Sequence, residues 1–137
     1  MNILIVDAQG GGVGKQLVTA VKEAMPEAKV IAIGANSMAT SQMLKAGADE
    51  AATGENPVVV SCRRADVIMG PIGIVIADSM NGEITPKMAM AIGQSEARRI
   101  LIPLNTCNNI VAGVEEKNLK ALISDAVKCL KECCTKE

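Results

Sequence analysis

The chain opens with an uninterrupted apolar run, Asn-Ile-Leu-Ile-Val-Asp at positions 2–7, that passes directly into Ala8-Gln9-Gly10-Gly11-Gly12-Val13-Gly14. Few folds accept that order. An apolar run without alternation suits a strand buried on both faces, as in a parallel sheet. Glycines at its end suit a tight turn, because glycine adopts positive φ without a Cβ clash. Beyond the turn Val13, Leu17, Val18, Val21, Ala24 and Met25 recur on one helical face, with Lys15, Thr19, Lys22 and Glu23 on or near the other, until Pro26 stops the pattern.

Strand and helix signals then alternate along the whole chain. Lys29–Gly34 reads as the second strand. Asn36 or Ser37 caps a helix that runs to about Ala46 and stops at Gly47. Residues 49–53 read as a short strand. Asn56-Pro57, as N-cap and first helical position, predicts a helix over 57–64, although its Val58-Val59-Val60 triplet equally suits a strand. A buried strand follows at 66–70, one or two helical turns at 74–79, and a helix from Thr85-Pro86 to about Gln94. Strands are expected at 99–103 and, last, at 109–114. Leu119, Leu122, Ile123, Ala126, Val127 and Leu130 mark a C-terminal helix.

This pattern predicts an α/β fold: a three-layer Rossmann-like domain with a mostly parallel central sheet of about five or six strands. It is read as one domain over residues 1–134 with a frayed tail at 135–137. The first strand should lie beside the strand at 66–70, at the switch point where α/β proteins bind ligands. The turn of Gly70, Pro71, Ile72 and Gly73 would then face the Gly10, Gly11, Gly12 and Gly14 turn across one crevice.

Composition narrows the chemistry. The chain has no His, Tyr, Trp or Phe. Ser-His-Asp and Cys-His sites, a Tyr-Lys acid/base pair and histidine-ligated zinc are therefore excluded within it. Base stacking on aromatic rings is excluded too. A net charge of −1 with interspersed signs gives no footprint for nucleic acid or an anionic membrane. The longest apolar run, residues 67–77, is broken by Gly70, Pro71 and Gly73, and a spanning helix needs about 20 apolar residues. No leader segment is recognised, so the expected location is cytoplasmic. The five cysteines, at 62, 107, 129, 133 and 134, are then expected as free thiols, and no metal site is expected. The eight methionines fill core space that aromatics would otherwise take.

The glycine turn carries the functional expectation. Without side chains, backbone N–H groups approach an anion closely, and the following helix N-terminus adds unpaired donors and its dipole. Four glycines in five positions exceed what a turn needs. The dinucleotide pattern G-x-G-x-x-G aligns on Gly11 and Gly14 with Gln9 at its first glycine. Phosphate-loop patterns fail at Gln16, where a hydroxyl belongs. No acidic residue ends the second strand to hold a ribose 2′-OH; either Asn36, Ser37 or Thr40 accommodates a 2′-phosphate, or the pocket holds something smaller than a dinucleotide.

Asp7 has two readings of equal weight: a contact to ligand, metal or proton, or a hydrogen-bond acceptor for the turn. Lys15 reads as a phosphate contact or a solvated lysine. Asp78, Ser79, Asn81 and Glu83 line the crevice or form a surface loop. Asn105, Thr106, Cys107, Asn108 and Asn109 follow a strand end, where α/β proteins place ligand contacts. Arg63, Arg64, Arg98 and Arg99 precede strands and read as solvated at the opposite end.

The stretches Asp7 to Lys15, Ala39 to Glu50, Gly70 to Ser79, Gly82-Glu-Ile-Thr-Pro86 and Asn105-Thr-Cys-Asn-Asn109 resemble a bacterial domain-of-unknown-function family. The resemblance spans nearly the whole chain and implies a Rossmann-like α/β domain without an assigned activity. The cofactor-binding set expected from the residues themselves is Asp7, Gln9, Gly10, Gly11, Gly12, Val13, Gly14, Asn36, Ser37, Gly70, Pro71, Ile72, Gly73 and Asn105. The expected ligand is a small phosphorylated molecule, NAD(P) or another nucleotide, and the expected role is binding or sensing, alone or as a homodimer. The alternatives are an enzyme acting on a phosphorylated small molecule through Asp7, Asp78 or Cys107, and a structural subunit with no ligand.

Overall fold

The first apolar run lies at the centre of the sheet, and its Ile3, Leu4, Ile5 and Val6 are all 0% exposed. The computed structural model describes residues 1–104 and 108–135. In chain order the elements are β1 (Asn2–Asp7), α1 (Gly12–Ala24), β2 (Lys29–Gly34), α2 (Ser37–Lys45), β3 (Glu50–Thr53), α3 (Glu55–Cys62), β4 (Val67–Pro71), a short 3-10 turn (Ile72–Val75), α4 (Pro86–Gln94), β5 (Arg98–Ile102) and α5 (Leu119–Thr135). The sheet has the order β3-β2-β1-β4-β5 with every pairing parallel. Ile5 lies opposite Ala32 on one side and Met69 on the other. The chain reverses direction across the sheet between β3 and β4, so β1 and β4 flank the switch point.

Alternating residues of β1 feed two cores. Ile3 and Ile5 join Leu17, Val18 and Val21 of α1, Met43 of α2, and Leu122, Ala126 and Leu130 of α5. Leu4 and Val6 join Val58 and Cys62 of α3, Ile74, and Met88 and Ile92 of α4. Four methionines (Met43, Met69, Met80 and Met88) are buried, filling space in an interior without aromatic rings. Helix starts follow their caps. Asn36 accepts the Ala39 amide at 2.9 Å, and Thr85 accepts the Met88 amide at 3.1 Å with Pro86 as the first helical residue.

Four local expectations are corrected. Helix α3 begins at Glu55 behind Gly54, whose φ is 106°, so Asn56 is no cap and Pro57 is the third helical residue. Its missing N–H costs nothing there, because first-turn amides have no intrahelical partner. The valine triplet is helical. The helical turn expected at 74–79 is shorter and earlier, because Asp78, Met80, Asn81 and Gly82 take left-handed backbone (φ 64°, 56°, 58° and 84°). Residues 109–114 form no strand: Ile110 is 95% exposed and Gly113 has φ 80°. Arg99 is not simply solvated. Its guanidinium donates to the carbonyls of Ile92, Ser95 and Ala97 and closes the end of α4. Among the described residues no helix is long and apolar enough to cross a membrane.

Candidate functional site

The turn between β1 and α1 is closed by Gly11 N–H donating to Ala8 O at 3.0 Å. Its bend falls on Gln9, at φ 53°, and on Gly11, at φ 74°. Non-glycine residues seldom hold positive φ. Gln9 therefore occupies the position that the dinucleotide pattern gives to glycine, and adopts the backbone that a glycine would.

The four glycines divide into two pairs. A Cβ on Gly11 would lie 2.8 Å from Ala39 Cα of α2, and one on Gly14 would lie 2.8 Å from Asp7 Cβ and against the Met43 sulfur. Those two are glycine because helix and strand approach closely. Gly10 and Gly12 are exposed, have no positive φ, and among the described residues a Cβ on either would meet nothing within 4 Å. Nothing in the fold requires glycine at positions 10 and 12.

The N-cap of α1 is Gly11, which has no side chain to cap with. Asp7 supplies the cap from the end of β1. Its Oδ2 accepts the Gly14 amide at 2.7 Å and its Oδ1 accepts the Ala8 amide at 2.8 Å. The side chain is buried, with Asp7 only 4% exposed. Burial holds its carboxyl above the ordinary range, against the two amides that favour the charged form, and the nearby Glu83 carboxylate pushes the same way.

Glu83 enters from the loop between the 3-10 turn and α4. Its Oε1 accepts the Gln9 amide at 3.1 Å and the Asn36 side-chain amide at 2.6 Å. Asn36 Nδ2 also donates to Gln9 O at 2.9 Å. The loop is fixed by its left-handed residues and by the buried Ser79 hydroxyl, which donates to Gly73 O. The turn's donors are thus partly committed inside the protein. The amides of Gly14, Gln9 and Gly11 are taken, whereas those of Gly10, Gly12 and Val13 meet no acceptor among the described residues.

The other expected site residues divide. Asn36 caps α2 and bridges to the turn, and Ser37 begins α2, exposed, beside it. Gly70, Pro71 and Gly73 are buried, and Ile72 is half-buried. A Cβ on Gly70 would strike Val6 O, and one on Gly73 would press on Met80 and Ser79, so both are packing glycines. Glu83 is the residue of the following loop that bonds to the glycine turn. The sequence offers two readings of Glu83, crevice lining or surface loop, and nothing local chooses between them, since its partners lie so far back in the chain. Asn105 and Cys107 lie outside the described residues. Lys15 is exposed and forms no ion pair among the described residues. Cys62 is buried in its core and its thiol is pushed up to about 11, which makes it unreactive.

No curated protein is significantly similar to the chain. Among solved structures it is similar to a dodecameric FMN-dependent Ubix-like decarboxylase from Escherichia coli O157:H7, at 12% identity and a TM-score of 0.50, over 96% of this chain and 94% of that one. At that identity the likeness is one of α/β fold. The glycine turn, the parallel sheet and the helices that carry them all fall within residues 2–135, which match the family model Domain of unknown function (DUF3842), and the chain belongs to that family.

Proposed function

We propose that this protein is a small-molecule-binding module whose glycine turn receives the phosphate of a nucleotide-type ligand. The observation that carries this reading is the pair Gly10 and Gly12: exposed, unstrained and, among the described residues, facing open space beside amides with no acceptor. A side chain at either position would cost the fold nothing, yet it would stand between a guest and those amides. The opening of α1 adds the positive end of its dipole.

Asp7 and Glu83 restrict the guest. Two carboxylates beside the turn disfavour a bare, highly charged anion. They favour a ligand that brings one phosphate together with hydroxyl groups that donate to carboxylate oxygens. Glu83, held against Asn36 at the end of β2, puts a carboxylate where the sequence order places none. That is the position from which an acidic residue binds a ribose diol. The reading therefore favours an unphosphorylated ribose or ribityl chain over a 2′-phosphate, and so NAD or FMN over NADP. A role in binding or sensing, rather than turnover, fits a site whose ionisable groups are two carboxylates already engaged by the backbone.

The test is titration of the purified chain with FMN, NAD(H), NADP(H), ATP, GTP, CoA and cyclic nucleotides, followed by calorimetry and thermal melting. Saturable heat and a raised melting temperature with a diol-bearing phosphate ligand are expected. Silence from the whole panel would overturn the reading.

A further inference from the structure

β5 is the edge of the sheet and pairs only with β4 among the described residues. Open edges present unpaired amides and carbonyls and are usually covered, charged or kept short. Here a groove follows the edge from Ala97 to Pro103, walled by Leu122, Ala126 and Cys129 of α5. Beside it runs the segment Ile110-Val111-Ala112-Gly113-Val114-Glu115-Glu116. It has the β-branched composition of a strand, yet Ile110 is 95%, Val111 36% and Val114 47% exposed. In its own chain it borders the groove at Gly113, Val114 and Glu115 without a backbone hydrogen bond to β5.

We propose that the sixth strand of this sheet forms between two copies of the chain: residues 110–116 of one copy lie antiparallel along the β5 edge of the second, and reciprocally. One chain carries both halves of the contact, which is what a two-fold, self-complementary interface requires. The direction follows from charge. Arg98 and Arg99 begin β5, and Glu115 and Glu116 end the segment. Antiparallel pairing brings these acids to the arginines with the valines and Ile110 over the rest of the edge, whereas parallel pairing leaves them at Pro103. Arg99 is engaged with the carbonyls of Ile92, Ser95 and Ala97 at and beyond the end of α4, and Arg98 has no ion pair among the described residues, so Arg98 is the counter-charge. Length also fits. Five residues of β5 extend about 17 Å, which seven residues of segment span. Pro103, without an amide hydrogen, ends the edge that can pair.

The test is the mass of the full chain in solution by light scattering and native mass spectrometry, up to high micromolar concentration. The wild type is expected to be a dimer or an assembly built from dimers. Ile110→Asp with Val114→Asp should weaken self-association about a hundredfold and leave the far-ultraviolet spectrum and melting of the monomer intact. Arg98→Glu should also dissociate it, and adding Glu115→Arg and Glu116→Arg to Arg98→Glu should restore it. A monomeric wild type, with the segment folded on its own chain or left open, overturns the proposal. So does an oligomer that survives these substitutions.

Discussion

Asp7 caps a helix to which it does not belong: its Oδ2 accepts the amide of Gly14, the third residue of α1, at 2.7 Å. Two accounts of that aspartate are separable by titration. Burial raises its folded-state pKa above 3.8, so the folded chain holds the proton more firmly than the unfolded chain does. The contribution to stability is full below pH 3.8 and is lost as pH rises through the folded value. Asp7→Asn mimics the protonated group and does not titrate. It should match the wild type in acid and be the more stable protein at neutral pH, as measured by urea unfolding. A variant that is less stable at neutral pH would mean that the charged cap supports the fold. A more stable one would mean that the carboxylate is retained for the ligand.

The glycines give a second prediction. Gly14→Ala pushes a methyl group onto Met43 and Asp7 and should cost about 1–3 kcal/mol. Gly12→Ala meets nothing, replaces glycine at the first helical position and should stabilise by about 0.5–1 kcal/mol. Gly10→Ala should be close to neutral. If the site is where we propose, Gly10→Ala and Gly12→Ala each weaken nucleotide binding by about tenfold in calorimetry while the protein stays folded. Unchanged affinity in both would move the ligand elsewhere.

Gln9 offers a third. At φ 53° it bears a side chain where glycine is at ease. Gln9→Gly should raise stability by about 0.5–1 kcal/mol in denaturant titration, the relief of left-handed strain outweighing the added freedom of the unfolded chain. A loss of stability would show that the Gln9 side chain, rather than its backbone, supports the turn.

Glu83 competes with any anion for the Gln9 amide. Glu83→Gln keeps the shape and removes the charge. Pyrophosphate should then bind about tenfold more tightly, while a diol-bearing nucleotide gains less. Identical pyrophosphate affinity in the two proteins would place Glu83 outside the site.

The architecture was legible because burial writes itself into periodicity. Asn2–Asp7 has no polar face and becomes the central strand, and α1 carries its stripe where the sheet needs it. Caps were legible where a side chain does the capping, at Asn36 and Thr85. Where the backbone decides, the sequence misleads. Gly54 displaced Asn56 as the cap of α3, and left-handed residues cut short the turn after β4. The expected strand at 109–114 failed because propensity does not supply a neighbour to pair with. The glycine turn was readable as a site, and its two kinds of glycine were not, since the distinction lies in what stands opposite each Cα. Glu83 was readable as one of two alternatives, crevice lining or surface loop, and its partners were not, being 74 and 47 residues away in the chain.

A single oxygen of Glu83 receives both the Gln9 amide and the Asn36 side chain. A substitution that removes that oxygen therefore removes both contacts of the loop at once, to the segment after β1 and to the segment after β2, and leaves those two segments hydrogen-bonded, among the described residues, only by Asn36 Nδ2 on the Gln9 carbonyl.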